Sequence, residues 1–164
     1  MVEGMEGVPV EAAGQAGRRW RGWLLGNRTS PGACRWGLVP LRLMVGVIFF
    51  VHGSQKAFGW FGGSGFDGTV QMLSGLGFPV SQLFAVLLIA GELGGGVLLL
   101  LGVAPRLSAL AIATVMTVAL LTAHRHDGFF RTHLQQMLLA ACVTIMVAGG
   151  GALSLLRSRR AEGE

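Results

Sequence analysis

Four long apolar runs constrain what this chain can fold into. They cover Leu38–Phe58, Pro79–Val103, Leu107–Ala123 and Leu134–Leu156. A helix needs about 20 apolar residues to cross the hydrocarbon core of a bilayer, and each run reaches or approaches that length. The last two runs contain no charged residue, whereas a helix of a soluble bundle keeps one polar face. The sequence therefore predicts an all-α membrane protein with four transmembrane helices in an antiparallel bundle.

Composition and charge placement support this class. Of the 164 residues, 52% are hydrophobic and only 13% are charged, where about a quarter is usual for a soluble domain. Lys and Arg outnumber Asp and Glu by 13 to 8, but the arginines flank the apolar runs instead of forming a patch on a soluble fold. We therefore expect membrane lipids as partners and no nucleic acid.

The apolar runs also divide the chain. Residues 1–33 lack an apolar period and are expected to form a flexible basic cytoplasmic tail, followed by the transmembrane domain at 34–157 and a short tail at 158–164. The first run lies too far along the chain to be a cleaved signal, so it is expected to be retained. Nine Lys and Arg fall on the side of the termini and three on the other. This bias predicts a multi-pass protein of the cell membrane with both termini cytoplasmic.

The links between the runs differ in kind. The link after the second run, Gly102–Arg106, is a tight turn in which Pro105 begins the next helix. The link after the first run, 59–78, is longer and predicts a short helix that Asp67 caps and that ends at Gly75 or Gly77. Its apolar face would carry Phe66, Val70 and Leu73, and we expect it to lie flat on the outer membrane surface.

Ionisable side chains within membrane spans are costly, so Arg42 and Glu92 are candidate functional residues. One interpretation is structural: Arg42 extends to the headgroups or pairs with Glu92, which its long side chain can reach. The other is functional: Glu92, flanked by Gly91 and Gly95, lies at a helix contact and faces a polar cavity.

A second group of polar residues lies at the outer ends of the spans. His52 and Lys56 are four residues apart and share a helix face, while His124, His126 and His133 bracket the last outer loop. Their spacing does not match a zinc signature, so no metal site is expected. As a cluster they could bind an anion or a quinone headgroup.

These residues, in their order and spacing, resemble the DoxX family of small bacterial membrane proteins over about residues 38–157. The resemblance rests on Arg42, Val51-His52-Gly53, Lys56, Phe66-Asp67-Gly68-Thr69-Val70, Leu76-Gly77-Phe78-Pro79, Glu92 with its glycines, Leu101-Gly102 with Arg106, His124, and Gly149-Gly150-Gly151-Ala152-Leu153-Ser154-Leu155. It implies a four-helix protein of the cell membrane, with relatives linked to quinone-dependent thiosulfate oxidation and to thiol and oxidative-stress defence. The family's polar span residues correspond to Arg42, His52, Lys56, Glu92 and His124. Where members often hold a polar or acidic residue early in the fourth span, this chain has Gln135 and Gln136. If that residue moves protons in other members, an amide here cannot.

Two functions remain open at this point, and whether the chain is an enzyme is open with them. The first is a quinone-interacting redox protein or subunit, with quinone as substrate or acceptor. Its expected site has catalytic Glu92, His52 and Lys56, and substrate-binding Arg42, His124 and Gln136. Because no dinucleotide fingerprint, P-loop or CxxC motif is present, electrons would pass directly between substrate and quinone or come from a soluble redox partner.

The second function is a non-enzymatic scaffold that anchors soluble oxidative-stress enzymes at the membrane. In that case Arg42 and Glu92 form a structural pair, and the basic tails contact anionic lipid or a partner protein. Beside these two functions, the sequence allows a carrier for a small hydrophobic or anionic molecule. Four spans would need to form a homodimer to build its path, joined through the glycine faces Gly46/Gly53 or Gly91/Gly95.

Overall fold

The computed structural model describes residues 31–123 and 128–154, and within these two ranges the chain forms helices and turns without a β-strand. The contacts reported below lie within a compact unit that begins at Arg35. The predicted basic tail, up to residue 30, and the predicted tail at 158–164 lie outside the described residues.

Six α-helices follow one another in these ranges. They are α1 (Pro31–Phe58), α2 (Gly65–Gly75), α3 (Ser81–Ile89), α4 (Gly95–Leu101), α5 (Pro105–Thr122) and α6 (Phe129–Ala148), with a short 3₁₀ turn at Trp60–Gly62. A π-helical turn, Ala90–Gly94, joins α3 to α4. The three segments form one rod, Ser81–Leu101, which corresponds to the second apolar run.

Three of the described helical segments are long and apolar enough to cross a membrane: Gly32–Phe58, Ser81–Leu101 and Pro105–Thr122. They confirm that the first three apolar runs are helices of spanning length. The fourth run forms α6, which is 20 residues long. Its first turns carry Arg131, His133, Gln135 and Gln136, and these side chains lower its hydropathy.

The ends of two elements differ from the prediction for local reasons. Helix α6 stops at Ala148 instead of Leu156 because Gly149 follows at φ 88°, a conformation that ends a helix and suits glycine. Helix α2 ends at Gly75 as predicted, but Asp67 does not cap it. Ser64 precedes the helix and Asp67 lies in its first turn. Its buried residues are Thr69 and Leu73, whereas Phe66 is exposed.

Glycines bring α1 and the rod into direct contact. A Cβ on Gly53 would lie 2.5 Å from the backbone nitrogen of Leu93, and one on Gly46 would lie 2.9 Å from Cγ of Leu100. The later glycine of α1 meets the earlier leucine of the rod, so the two segments run in opposite directions. Beside this contact lies an apolar core from α1, α4, α5 and α6 that includes Val45, Phe49, Leu99, Ala109, Ile112, Ala113, Met116, Cys142 and Ile145.

The same glycines bear on the predicted homodimer. Gly91 packs against Val115 and Gly95 against Ile112, both on α5. With Gly46 and Gly53 packed against the rod, both proposed dimer faces are used within one chain. A homodimer joined through these faces stays a prediction, and it would have to form beside these contacts within the chain.

Candidate functional site

Glu92 lies in the π-helical turn at the middle of the rod. A π turn inserts one extra residue into a helix and changes the direction of the side chains around it, and such turns are frequent at functional sites. The turn is built from Ala90, Gly91, Glu92, Leu93 and Gly94. Its glycines offer no side chain to obstruct the wider turn, and Glu92 is directed inward, with 4% of its surface exposed.

Lys56, at the end of α1, is the partner of this carboxylate. Its Nζ donates a hydrogen bond to Oε1 of Glu92, and the two form an ion pair. The lysine side chain keeps 25% of its surface exposed, whereas the glutamate side chain keeps 5%. The pair thus runs from a buried carboxylate to a partly exposed lysine near the end of α1.

Helix α2 covers the end of α1 at this point. Oγ1 of Thr69, on the buried face of α2, donates to the carbonyl of Gly65 at 2.8 Å and also lies 3.3 Å from the carbonyl of Lys56. The segment before α2 is equally close, since a Cβ on Gly63 would lie 2.3 Å from the carbonyl oxygen of Gln55. These contacts hold the backbone of α1 where Lys56 meets Glu92.

Three buried polar atoms, one each on α1, the rod and α6, have no hydrogen-bond partner in the described part of the chain: Oγ of Ser54, Oε2 of Glu92 and Oε1 of Gln135. Ser54 is fully buried. Gln135 stands seven residues before Cys142 and three after Thr132, so all three share the inward stripe of α6. Buried polar atoms are normally paired, and an unpaired one indicates water, an ion or a ligand.

No hydrogen bond in the described part of the chain joins His52 or Gln136 to the pair. His52 is exposed, and its Nδ1–H donates to the carbonyl of Ile48 on its own helix at 2.8 Å. Gln136 donates to Oγ1 of Thr132 at 2.9 Å, also within one helix. His124 lies outside the described residues. Ser54 and Gln135 were not predicted as site residues. The seven-residue spacing between Gln135 and the buried Cys142 could have identified Gln135 as an inward-facing residue.

Arg42 does not pair with Glu92, which corrects the expected structural pair. It is 2% exposed, and its Nη1 donates to the carbonyl of Gly150 at 2.8 Å. Both Arg42 and Lys56 belong to α1, but 14 residues separate them, which is about 21 Å along a helix. Glu92 lies at the level of Lys56, so the buried arginine serves a different contact.

An open apolar groove of about 680 Å³ lies near the pair but on another face of the rod. Its lining includes Phe58 of α1, Phe66 of α2, and Ala90, Leu93 and Val97 of the rod. Glu92 is not among the residues that line this groove. The expected polar cavity beside Glu92 is thus not this groove, whose lining is apolar.

Comparison with known proteins yields one family and two curated relatives. The DoxX family model matches residues 37–125. A Bacillus subtilis (strain 168) protein named "Putative oxidoreductase CatD" is 31% identical over 120 residues, covering 73% of this chain and 84% of the relative. "Inner membrane protein YphA" of Escherichia coli (strain K12) is 29% identical over 129 residues, covering 73% and 88%. No solved structure matches the chain.

Proposed function

The chain belongs to the DoxX family of membrane proteins, and from this premise we propose that it binds the headgroup of a quinone in its interior, as an oxidoreductase or the membrane subunit of one. The site would be formed by the Lys56–Glu92 pair together with Ser54 and Gln135, whose buried polar atoms have no partner in the described part of the chain. One relative carries the word oxidoreductase in its name, which agrees with this class of function.

The observation that carries the proposal is the state of the Glu92 carboxylate. One oxygen accepts from Lys56, and the other is buried without a partner in the described part of the chain. A carboxylate with a free oxygen can accept a hydroxyl hydrogen, and an ammonium group with spare N–H bonds can donate to a carbonyl. A quinone offers the carbonyls and its reduced form offers the hydroxyls, so the pair suits both redox states.

The reaction we propose is two-electron reduction of the quinone by two thiol groups of a soluble donor. The thiols lose two electrons and two protons and leave as a disulfide, and the quinone gains both and leaves as the quinol. Lys56 and Glu92 would pass the protons to the quinone oxygens. An amide at Gln135 can only orient the headgroup, because its N–H protons are not acidic enough to be transferred.

The proposal includes the full membrane architecture. Helix α6 would be the fourth span, since its Thr132 and Gln135 lie on the inward stripe and Met137, Val143 and Val147 are exposed. Helix α2 would be interfacial, since its apolar Phe66 and Met72 are also exposed. The excess of Lys and Arg on one side favours cytoplasmic termini.

Binding of a short-chain ubiquinone to the purified full chain in detergent, measured by calorimetry, tests the proposal. We expect saturable binding in the parent and its loss in Glu92→Gln and Lys56→Met. Gly37→Ala serves as a matched control, because a Cβ at Gly37 meets nothing within 4 Å. His52→Ala is expected to bind like the parent, since this histidine bonds to its own helix. A folded parent that binds no quinone would overturn the proposal.

The alternative function is a membrane scaffold that holds soluble oxidative-stress enzymes. The observation that favours it is that Lys56 and Glu92 already partner each other, as a purely structural pair would. The two functions predict different results in the same experiment. In a scaffold, Glu92→Gln lowers the melting temperature of the protein and there is no quinone binding to lose.

A further inference from the structure

Three helix ends meet around Arg42, at the end of the molecule away from the Lys56–Glu92 pair. Helix α4 ends at Leu101, α5 begins at Pro105 and α6 ends at Ala148. The guanidinium of Arg42 binds the carbonyl of Gly150. It also lies beside the turn between α4 and α5, because a Cβ on Gly102 would be 3.0 Å from Nη1. Arg42 thus lies at the centre of a corner built from three helix ends.

The positive charge in this corner is not balanced by a carboxylate in residues 31–123 and 128–154. The acidic residues of those ranges are Asp67 and Glu92, and Glu92 is paired with Lys56. Arg42 is 2% exposed, and its Nε has no partner there. Carbonyls at the end of α6 offset part of the charge through the helix dipole. The positive charge that the dipole does not offset attracts an anion, since a buried charge is costly unless it is paired.

Two exposed arginines flank the same corner. Arg106 is in the first turn of α5, and its Nη2 lies 3.4 Å from the carbonyl of Val147. Arg35 is placed beside the chain that follows α6, because its carbonyl accepts from the backbone N–H of Ala152 at 3.0 Å. The N-terminus of α5 adds its positive dipole end. The guanidinium of Arg106 and the backbone of the exposed Arg35 therefore lie beside the glycines that end α6.

The corner also lies at the depth of lipid phosphates. The rod Ser81–Leu101 has 21 residues, or about 31 Å, which is close to the thickness of the hydrocarbon core. Its end at Leu101 therefore marks the boundary with the headgroups, and Gly102 beside Arg42 lies just beyond it. Helix α1 continues past this level toward Arg35.

We propose that the corner formed by Gly149–Gly151, Arg35, Arg42 and Arg106 binds a phosphate group. Arg35 and Arg106 would contact the phosphate oxygens, and Arg42 would supply buried positive charge without touching the ligand. The phosphate could belong to an anionic phospholipid or be inorganic phosphate. This site lies apart from the Lys56–Glu92 pair and does not depend on the quinone proposal.

Lipid binding by the full chain in a neutral detergent tests the site, with native mass spectrometry and calorimetry as readouts. The probes are phosphatidylglycerol, phosphatidylcholine and inorganic phosphate. We expect phosphatidylglycerol to bind more tightly than phosphatidylcholine, and Arg106→Gln to weaken that binding about fivefold. Arg35→Gln should act similarly. Arg131→Gln is the matched control, because it removes the same charge from an exposed arginine at the other end of α6.

The arms of the experiment separate the two sources of phosphate. If inorganic phosphate competes with phosphatidylglycerol, and Arg106→Gln abolishes this competition, the ligand is a free anion. If phosphatidylglycerol binds and inorganic phosphate does not, the ligand is the lipid. Both arginines are exposed, so their variants are expected to fold. The proposal would be overturned if the two lipids bound with equal affinity and inorganic phosphate did not bind. It would also be overturned if Arg131→Gln weakened phosphatidylglycerol binding as much as Arg106→Gln does.

Discussion

Lys56 donates a hydrogen bond to Glu92 across 36 residues of sequence, from the end of α1 to the middle of the rod. Two local features make this contact. The π turn directs Glu92 inward, and Gly53 lets α1 approach the backbone of Leu93 three residues before Lys56. The pair therefore depends on glycine packing as much as on charge.

Breaking the pair from its two sides should have unequal effects on stability. Lys56→Met leaves the Glu92 carboxylate buried without its cation, and we expect it to lower the free energy of unfolding by about 3 kcal/mol. Glu92→Leu leaves a lysine that is 25% exposed and can turn toward water, so its expected cost is about 1 kcal/mol. Thermal unfolding in detergent measures both changes.

The double variant Lys56→Met/Glu92→Leu provides the control. It leaves no unpaired charge at this position, so it should be more stable than Lys56→Met alone. Equal destabilisation by the two single changes, with simple additivity in the double variant, would show that the two side chains do not act as a pair.

The sequence predicted the helices well, but the Arg42–Glu92 pair that it offered as one alternative does not form. Hydropathy was sufficient for the helices because each apolar run is long and bounded by glycine, proline or charge. The two glycines that flank Glu92, Gly91 and Gly95, also predicted a helix contact, and their packing against α5 confirms it. The partner of Glu92 depends on the register between α1 and the rod, which three close-packed glycines of both segments set: Gly46, Gly53 and Gly96. No local pattern encodes that register.

The π turn and the neighbouring glutamines show a second limit. Helical periodicity read along the second run assumes 3.6 residues per turn, and one inserted residue changes the face on which Glu92 lies. In α6 the sequence favoured Gln136, yet the inward stripe through Cys142 selects Gln135, whose Oε1 is buried. Helical periodicity counted from a known core residue would have distinguished Gln135 from Gln136.

Gly53→Ala should disturb the contact between α1 and the rod. A Cβ at this position would lie 2.5 Å from the backbone nitrogen of Leu93, and a backbone cannot move aside as a flexible side chain can. We expect a loss of about 1–3 kcal/mol in unfolding free energy, as is typical of overpacking. Gly37→Ala, on the same helix with nothing within 4 Å, should be neutral or stabilising. A stable Gly53→Ala protein would contradict the close approach of the two segments.

Gly102→Ala should destabilise the corner around Arg42 more than backbone strain alone would. Gly102 has φ 71° and Gly62 has φ 78°, so alanine at either position costs about 1–2 kcal/mol. At Gly102 the added Cβ would also lie 2.7 Å from the carbonyl oxygen of Leu153, whereas at Gly62 nothing lies within 4 Å. The difference between their melting temperatures isolates the packing term. Equal melting temperatures would indicate that the segment around Leu153 does not pack against this turn.

Reporter fusions at the two termini should test whether α6 is a membrane span. Three described helical segments meet the length and hydropathy of a span, and with α6 as the fourth both termini lie on the same side. The excess of Lys and Arg predicts that this side is cytoplasmic. We expect a reporter that is active only in the periplasm to be silent at residue 1 and at residue 164, and active when inserted after Gly62, in the link between α1 and α2. Activity at residue 164 with silence at residue 1 would place the termini on opposite sides. In that case α6 would lie along the membrane surface, and Gln135 could not belong to a site in the interior of a four-helix bundle.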